Sequence, residues 1–143
     1  MKIETIKLLT VNRIDIIFKL LYLKLAKKEA KVFAKEIYFE HIKLITNGLY
    51  KESGSNKKSF EDYLESFDRL VESIKENGFD SKISSIPISN QKSITNGSHR
   101  VAISIYLDIK NIYVTETEEK SHIYNYEFFL KRGLSINLME IGV

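Results

Sequence analysis

The stretch "SITNGSHRVAISIYL", residues 93–107, decides the fold. A short β-type run reaches Asn96-Gly97 and changes at once into apolar residues at helical spacing. Gly97 permits a tight turn that a side chain would oppose. The amides of Ser98, His99 and Arg100 then stand at a helix amino terminus, without intrahelical acceptors and at the positive end of the helix dipole. Arg100 adds a planar, permanently charged fork matched to phosphate. Together these groups make an anion cradle. A helix that follows an Asn-Gly turn is also common, so the local chemistry alone favours a plain structural turn over an anion site.

Immediately upstream, Ile86 and Ile88 alternate with other positions, and Ile94 follows a turn at 90–92. These read as two short strands of a hairpin. Downstream, the helix runs over 98–107, "NIYVTE" (111–116) reads as another strand, and "NYEFFLKRG" (125–133) as a last short helix ending at Gly133. Further upstream, Ser59 and Asp62 give a capping-box-like start. Phe60, Tyr63, Leu64, Phe67, Leu70, Val71 and Ile74 form the apolar stripe of a helix that stops at Asn77-Gly78. "LYKESGSNKKS" (49–59) is the evident loop.

Before that loop, Ala30, Phe33, Ala34, Ile37, Tyr38, His41, Ile42 and Ile45 recur at three- and four-residue spacing, with Asn47-Gly48 as a stop. An earlier helix is expected from Asn12, as N-cap with Asp15 three residues on, through Ala26. It is apolar around most of its circumference, the mark of a helix buried on several sides. The two helices are either separate or one helix bent near Lys27-Lys28.

The chain of 143 residues fits one domain, large enough for a real core. It contains no Cys, which excludes a disulfide framework, a thiolate zinc site and a Cys nucleophile. The net charge of +3 permits anionic ligands without implying DNA. Asp15, Lys19 and Lys24 interrupt the apolar stretch "IDIIFKLLYLKLA", so no membrane span is expected. There is no cleavable signal pattern. A soluble, cytoplasmic protein is the expectation.

The order of these parts is more specific than the turn. "LVESIKENGF", "SIPIS" and "SITNGSHRVAISIYLDIKNIYV" resemble the ParB N-terminal/sulfiredoxin-like superfamily over about residues 59–115. In that superfamily a helix of the type L-x-x-S-I-x-x-x-G leads to a P-I-x-V strand, a hairpin, a G-x-x-R or G-x-H-R turn, a helix and a further strand. The resemblance implies an α/β (α+β) fold: a small mixed sheet wrapped by helices, here with residues 1–58 as a helical amino-terminal extension to a single domain of 1–143. It also implies a nucleotide site, with Asn96, Gly97, Ser98, His99 and Arg100 on the phosphates.

The chain departs from two branches of the superfamily. Ser98 stands where sulfiredoxins carry their Cys. The segregation proteins carry a helix-turn-helix region after the nucleotide domain, and the residues after 115 leave no room for one. The His99-Arg100 pair is closer to the branch of small-molecule kinases. That branch implies ATP or ADP (CTP is the other nucleotide of the superfamily), with Mg²⁺ carried on the phosphates. The acceptor would be a small hydroxyl-bearing metabolite such as a sugar, a polyol or a serine-like compound, in bacterial surface-polysaccharide or related metabolism.

A kinase also needs a carboxylate for the acceptor hydroxyl. The candidate is Glu40 in "IYFEHIKL", whose other reading is a solvated helix Glu. His99 is the second catalytic candidate. His41, on the apolar stripe, reads as a satisfied, half-buried histidine. Arg13 and Asp15 could pair with each other or line the cleft; the preferred reading is capping and surface solvation. Lys57 and Lys58 lie on the polar loop, where the preferred reading is a solvated mobile loop and the other makes Lys57 a candidate lid residue over phosphates. His122 reads as surface. No His/Asp/Glu spacing suggests a protein-held transition metal. The rival to a kinase is a nucleotide- or partner-binding module without turnover. A ParB-like nuclease ranks third, because neither an acidic cluster for two metals nor a basic stripe for a duplex is present.

Overall fold

The alternation in "NIYVTE" puts Ile112 and Val114 on one side of a strand and Asn111, Tyr113 and Thr115 on the other. The computed structural model describes residues 2–26, 30–52, 55–78 and 85–134. In it this segment is β3, Asn111–Glu116, the middle strand of a three-stranded mixed sheet. β1 (Lys2–Glu4) pairs antiparallel on one side, with Lys2 opposite Tyr113. β2 (Ile86–Ile88) pairs parallel on the other, with Ile86 opposite Val114. Ile86, Ile88, Ile112 and Val114 are buried together, so one face of the sheet carries the core. β1 is not expected from the sequence, because three residues are too few for a period to show.

The expected hairpin partner of β2 shrinks to one bridge, Ile88 with Ile94, closed by the Ser89 N–H donating to the Ser93 carbonyl at 2.8 Å. Pro87 has no N–H to give to a longer ladder; its carbonyl accepts from the Thr95 N–H at 2.9 Å.

Among the described residues there are five α-helices: α1 (Asp15–Leu25), α2 (Lys31–Ile45), α3 (Phe60–Asn77), α4 (Ser98–Tyr106) and α5 (Tyr126–Lys131). α1 and α2 fold back on each other, with the Phe18 ring stacked on His41 at 5.4 Å and Tyr22 against Tyr38 at 5.2 Å. They are two antiparallel helices and not one; the expected bend at Lys27-Lys28 lies outside the described residues. α3 begins as its sequence predicts. Ser59 accepts from the Asp62 N–H at 3.3 Å, and Asp62 accepts from the Lys58 N–H at 2.8 Å. It ends at Gly78, φ +72°.

Asn12 is not the cap of α1. The N-cap position is Ile14, without a side-chain cap. The backbone of residues 12–14 is held out of the helix by the chain around Tyr124: the Tyr124 N–H donates to the Asn12 carbonyl at 2.8 Å, and the Ile14 N–H donates to the Tyr124 carbonyl at 2.9 Å.

Leu8, Ile16 and Tyr22 share one apolar cluster with Phe67, Ile86 and Val101. The first 58 residues are therefore not an appendage to a core at 59–115; they supply β1 and the helix against which α4 packs. A second cluster joins Phe18 and Ile37 to Phe129 of α5.

Arg13 and Asp15 are not surface charges. Arg13 is 4% exposed and Asp15 1%. The Arg13 Nε and Nη2 groups donate to the two Asp15 carboxylate oxygens at 2.9 Å each, and Nη1 donates to the Ile94 carbonyl at 2.7 Å. Lys19 Nζ reaches Asp15 Oδ2 at 3.4 Å. The Arg13 guanidinium also lies 5.0 Å from the Tyr124 ring centroid. Removing the carboxylate leaves two buried cations uncompensated. Asp15→Ala should therefore lower stability by about 3–5 kcal/mol in denaturant unfolding; a loss below about 1 kcal/mol, the range of exposed pairs, would contradict this reading.

Candidate functional site

The amino terminus of α4 opens into a cleft, and Gly97 explains how. Gly97 is the N-cap residue with φ +88°, in the left-handed region. A Cβ there would lie 2.8 Å from Arg100 Nη2 and 3.0 Å from Ile86 Cδ1. Glycine thus serves both the backbone angle and the close approach of the Arg100 guanidinium over the turn. The Asn96 side-chain carbonyl accepts from the Gly97 N–H at 2.7 Å. The first turn of α4 closes with the Val101 N–H donating to the Gly97 carbonyl at 3.0 Å. The Ser98 and His99 amides precede that bond and have no intrahelical acceptor.

The cleft has two chambers, of about 160 Å³ and 570 Å³, which share Glu52, Asn96, Gly97 and His99. Arg100, Lys57 and Phe67 line the smaller. Arg13, Asp15 and Lys19 line the larger, together with Ser98, Tyr63 and Tyr124. The five expected turn residues are thus brought together around one cleft. Lys57 stands at its smaller end, paired with Glu52 at 2.7 Å and 4.6 Å from the Tyr63 ring centroid.

Glu40 lines neither chamber. It sits half-buried on α2, beside His41, which faces α1. The carboxylates that do line the cleft are Asp15, Glu52 and Glu119.

His99 Nε2 and the Tyr38 hydroxyl are hydrogen-bonded at 2.8 Å, and the His99 ring meets Phe67 edge-on at 4.7 Å. Burial holds the His99 imidazole well below its usual range, helped by the charges of Lys19 and Lys57. His41 is fully buried and fully satisfied. Its Nδ1–H donates to the Tyr38 carbonyl at 2.7 Å, which leaves Nε2 to accept from Lys19 Nζ at 3.0 Å. Burial and the Lys19 charge push His41 far down. Burial alone would raise Asp15, but Lys19 and Arg13 overcome it and hold the carboxylate well below its usual range.

His122 is exposed, as read from the sequence; it also lines the larger chamber, stacked on Tyr124 at 5.5 Å. Arg13 and Asp15 line the cleft and pair with each other, the less favoured of their two expected readings, and Lys19 is a further lining residue that the sequence reading does not pick out. Their signal was present: Asp15 and Lys19 are opposite charges four apart in an otherwise apolar helix, which is pair spacing. Glu52 carried no signal within its polar loop.

No protein-family model, curated protein or solved structure matches this chain. The described helices include none long and apolar enough to cross a membrane.

Gly97→Val should cost about 1–3 kcal/mol of stability from backbone strain, and it should displace Arg100. An unchanged denaturation midpoint would refute the role given to this turn. A second expectation concerns acid. The unfolded chain takes up a proton at His41 below about pH 6.5, and the folded one resists it. Stability should therefore fall with pH below that point, by up to about 1.4 kcal/mol per pH unit for this one group. Asp15 is ionised in both states there and adds nothing to the slope. Urea midpoints at pH 7, 6 and 5 check this, and a flat profile would contradict a buried neutral His41.

Proposed function

We propose that this protein is a nucleotide-dependent phosphotransferase acting on a small hydroxyl-bearing metabolite, built on a ParB/sulfiredoxin-like domain. The likeness of fold rests on the order of motifs from Leu70 to Val114. One observation carries the site: the amide end of α4, the Arg100 guanidinium and a carboxylate, Glu52, meet in a single cleft. In this reading the Ser98 and His99 amides and Arg100 hold nucleotide phosphates, and a ligand in the larger chamber presents its hydroxyl to Glu52. Glu52 takes the part expected of Glu40, with Lys57 as its ion-pair partner.

The donor set suits a nucleotide with its metal. N–H donors would hold the phosphates, and the Glu119 carboxylate, which lines the same chamber, is a hard oxygen ligand of the kind Mg²⁺ takes. When bound, Mg²⁺ supplies charge neutralisation across the phosphates. The chain's own residues position the phosphates, orient the acceptor hydroxyl and accept its proton at the Glu52 carboxylate.

Thermal shift with ATP, ADP, CTP and GTP, each with and without Mg²⁺, tests the binding. A ligand at 100 times its Kd adds about 2.7 kcal/mol, which is readily seen. Arg100→Ala should weaken the best nucleotide by about 1.5–3 kcal/mol while the protein stays folded. Glu52→Gln should keep nucleotide affinity and lower turnover on the order of 10²–10⁴-fold. No stabilisation by any of the four nucleotides would overturn the site. Binding without transfer to any member of a hydroxy-metabolite panel would overturn the transferase and leave a nucleotide-binding module.

A further inference from the structure

The donors of one buried amine point to a second anion contact in the cleft. Lys19 is only 2% exposed, yet it lines the larger chamber with Ser98 and His99. An ammonium group has three N–H donors and no acceptor. One is directed at Asp15 Oδ2 at 3.4 Å and one at His41 Nε2 at 3.0 Å. Among the described residues no third acceptor for Nζ is in place. Asp15 does not neutralise Lys19 by itself, because Arg13 already engages both carboxylate oxygens at 2.9 Å. Two cations thus share one carboxylate. The surplus positive charge has a remaining donor beside a chamber large enough for a ligand.

We propose that Lys19 is a ligand-contact residue whose remaining N–H donates to a phosphate oxygen of the bound nucleotide, as a second anion subsite in the chamber that the Ser98 and His99 amides also line. This rests on the nucleotide reading above. Without a ligand the surplus charge is costly to bury; a phosphate oxygen offsets it and takes the remaining donor. The groups facing the amine are Asp15 and Arg13 at the start of α1, His41 on α2, His99 on α4 and Glu52 from the loop before α3. Burial pushes the Lys19 amine down to about 8, against the pull of Asp15. Only the protonated amine carries the charge, so nucleotide affinity should fall as pH rises through this value.

The test is calorimetric titration at pH 7.5, 8.5 and 9.5 with whichever of ATP, ADP, CTP and GTP stabilises the protein most, with Mg²⁺ present. The phosphates are fully ionised across that range. Wild type should lose up to about 25-fold in affinity between pH 7.5 and 9.5, the limit for one group titrating at about 8. Lys19→Met should bind roughly tenfold or more weakly at pH 7.5 and show no pH trend, as expected for loss of one charge-assisted contact. Arg100→Ala should bind weakly but keep the trend. Thermal melts in the same buffers report whether each variant is folded. If Lys19→Met does not fold, the profiles of wild type and Arg100→Ala decide the matter. A flat wild-type profile, or a folded Lys19→Met with unchanged affinity, overturns the inference and leaves the nucleotide site standing. Failure of wild type to bind any of the four nucleotides overturns both.

Discussion

The bidentate contact between Arg13 and Asp15 is the constraint on which the rest depends. The pair is only two residues apart in the chain, but it is buried, and its remaining bonds go far. The third guanidinium direction reaches the Ile94 carbonyl, 81 residues on. The Tyr124 ring lies against the guanidinium, and its backbone brackets residues 12–14. The chain before α1, the bridge beside β2 and the segment leading to α5 therefore meet at one charged point. Buried pairs add little net stability over apolar packing, but breaking one is expensive. Their value here lies in register: the pair ties the amino-terminal segment to the Ile94 carbonyl and to Tyr124.

That geometry also sets the electrostatics of the cleft. Two buried cations share Asp15, so positive charge remains beside the amide end of α4. Loss of water around the rings, helped by the Lys19 charge, holds both the buried His41 and the half-buried His99 well below the usual imidazole range. A neutral His41 is in turn what allows Nε2 to accept from Lys19. Burial, tautomer and charge are thus mutually dependent, and the low dielectric that makes the cluster costly to break also strengthens each bond within it. Gly97 has its own constraint at the rim. A left-handed N-cap and a guanidinium folded over the turn leave no space for a side chain.

Much of this was legible along the chain. The stripe from Phe60 to Ile74, the cap at Ser59, the stop at Gly78 and the alternation in "NIYVTE" are local patterns, and each formed the element its period implied. The turn at Asn96–Arg100 was equally readable, because a glycine between a β-type run and an apolar helix has few other uses. Phe33 shows where periodicity runs out: it keeps the spacing of the α2 stripe but is 40% exposed, since a stripe is wider than the surface that covers it.

By itself the sequence determined the helix faces, the strand alternation and the strand–turn–helix unit, because all of these arise from neighbours within a few residues. Only the tertiary structure decided that β1 joins the sheet, that Arg13, Asp15 and Lys19 are buried, and that Glu52 and not Glu40 lines the cleft. Each of those outcomes depends on segments far apart in the chain. A charged residue in an apolar run looks the same in sequence whether it is solvated or paired inside. Its partners, the Ile94 carbonyl, Tyr124 and His41, are placed by packing, and packing fixes which charges lose their water.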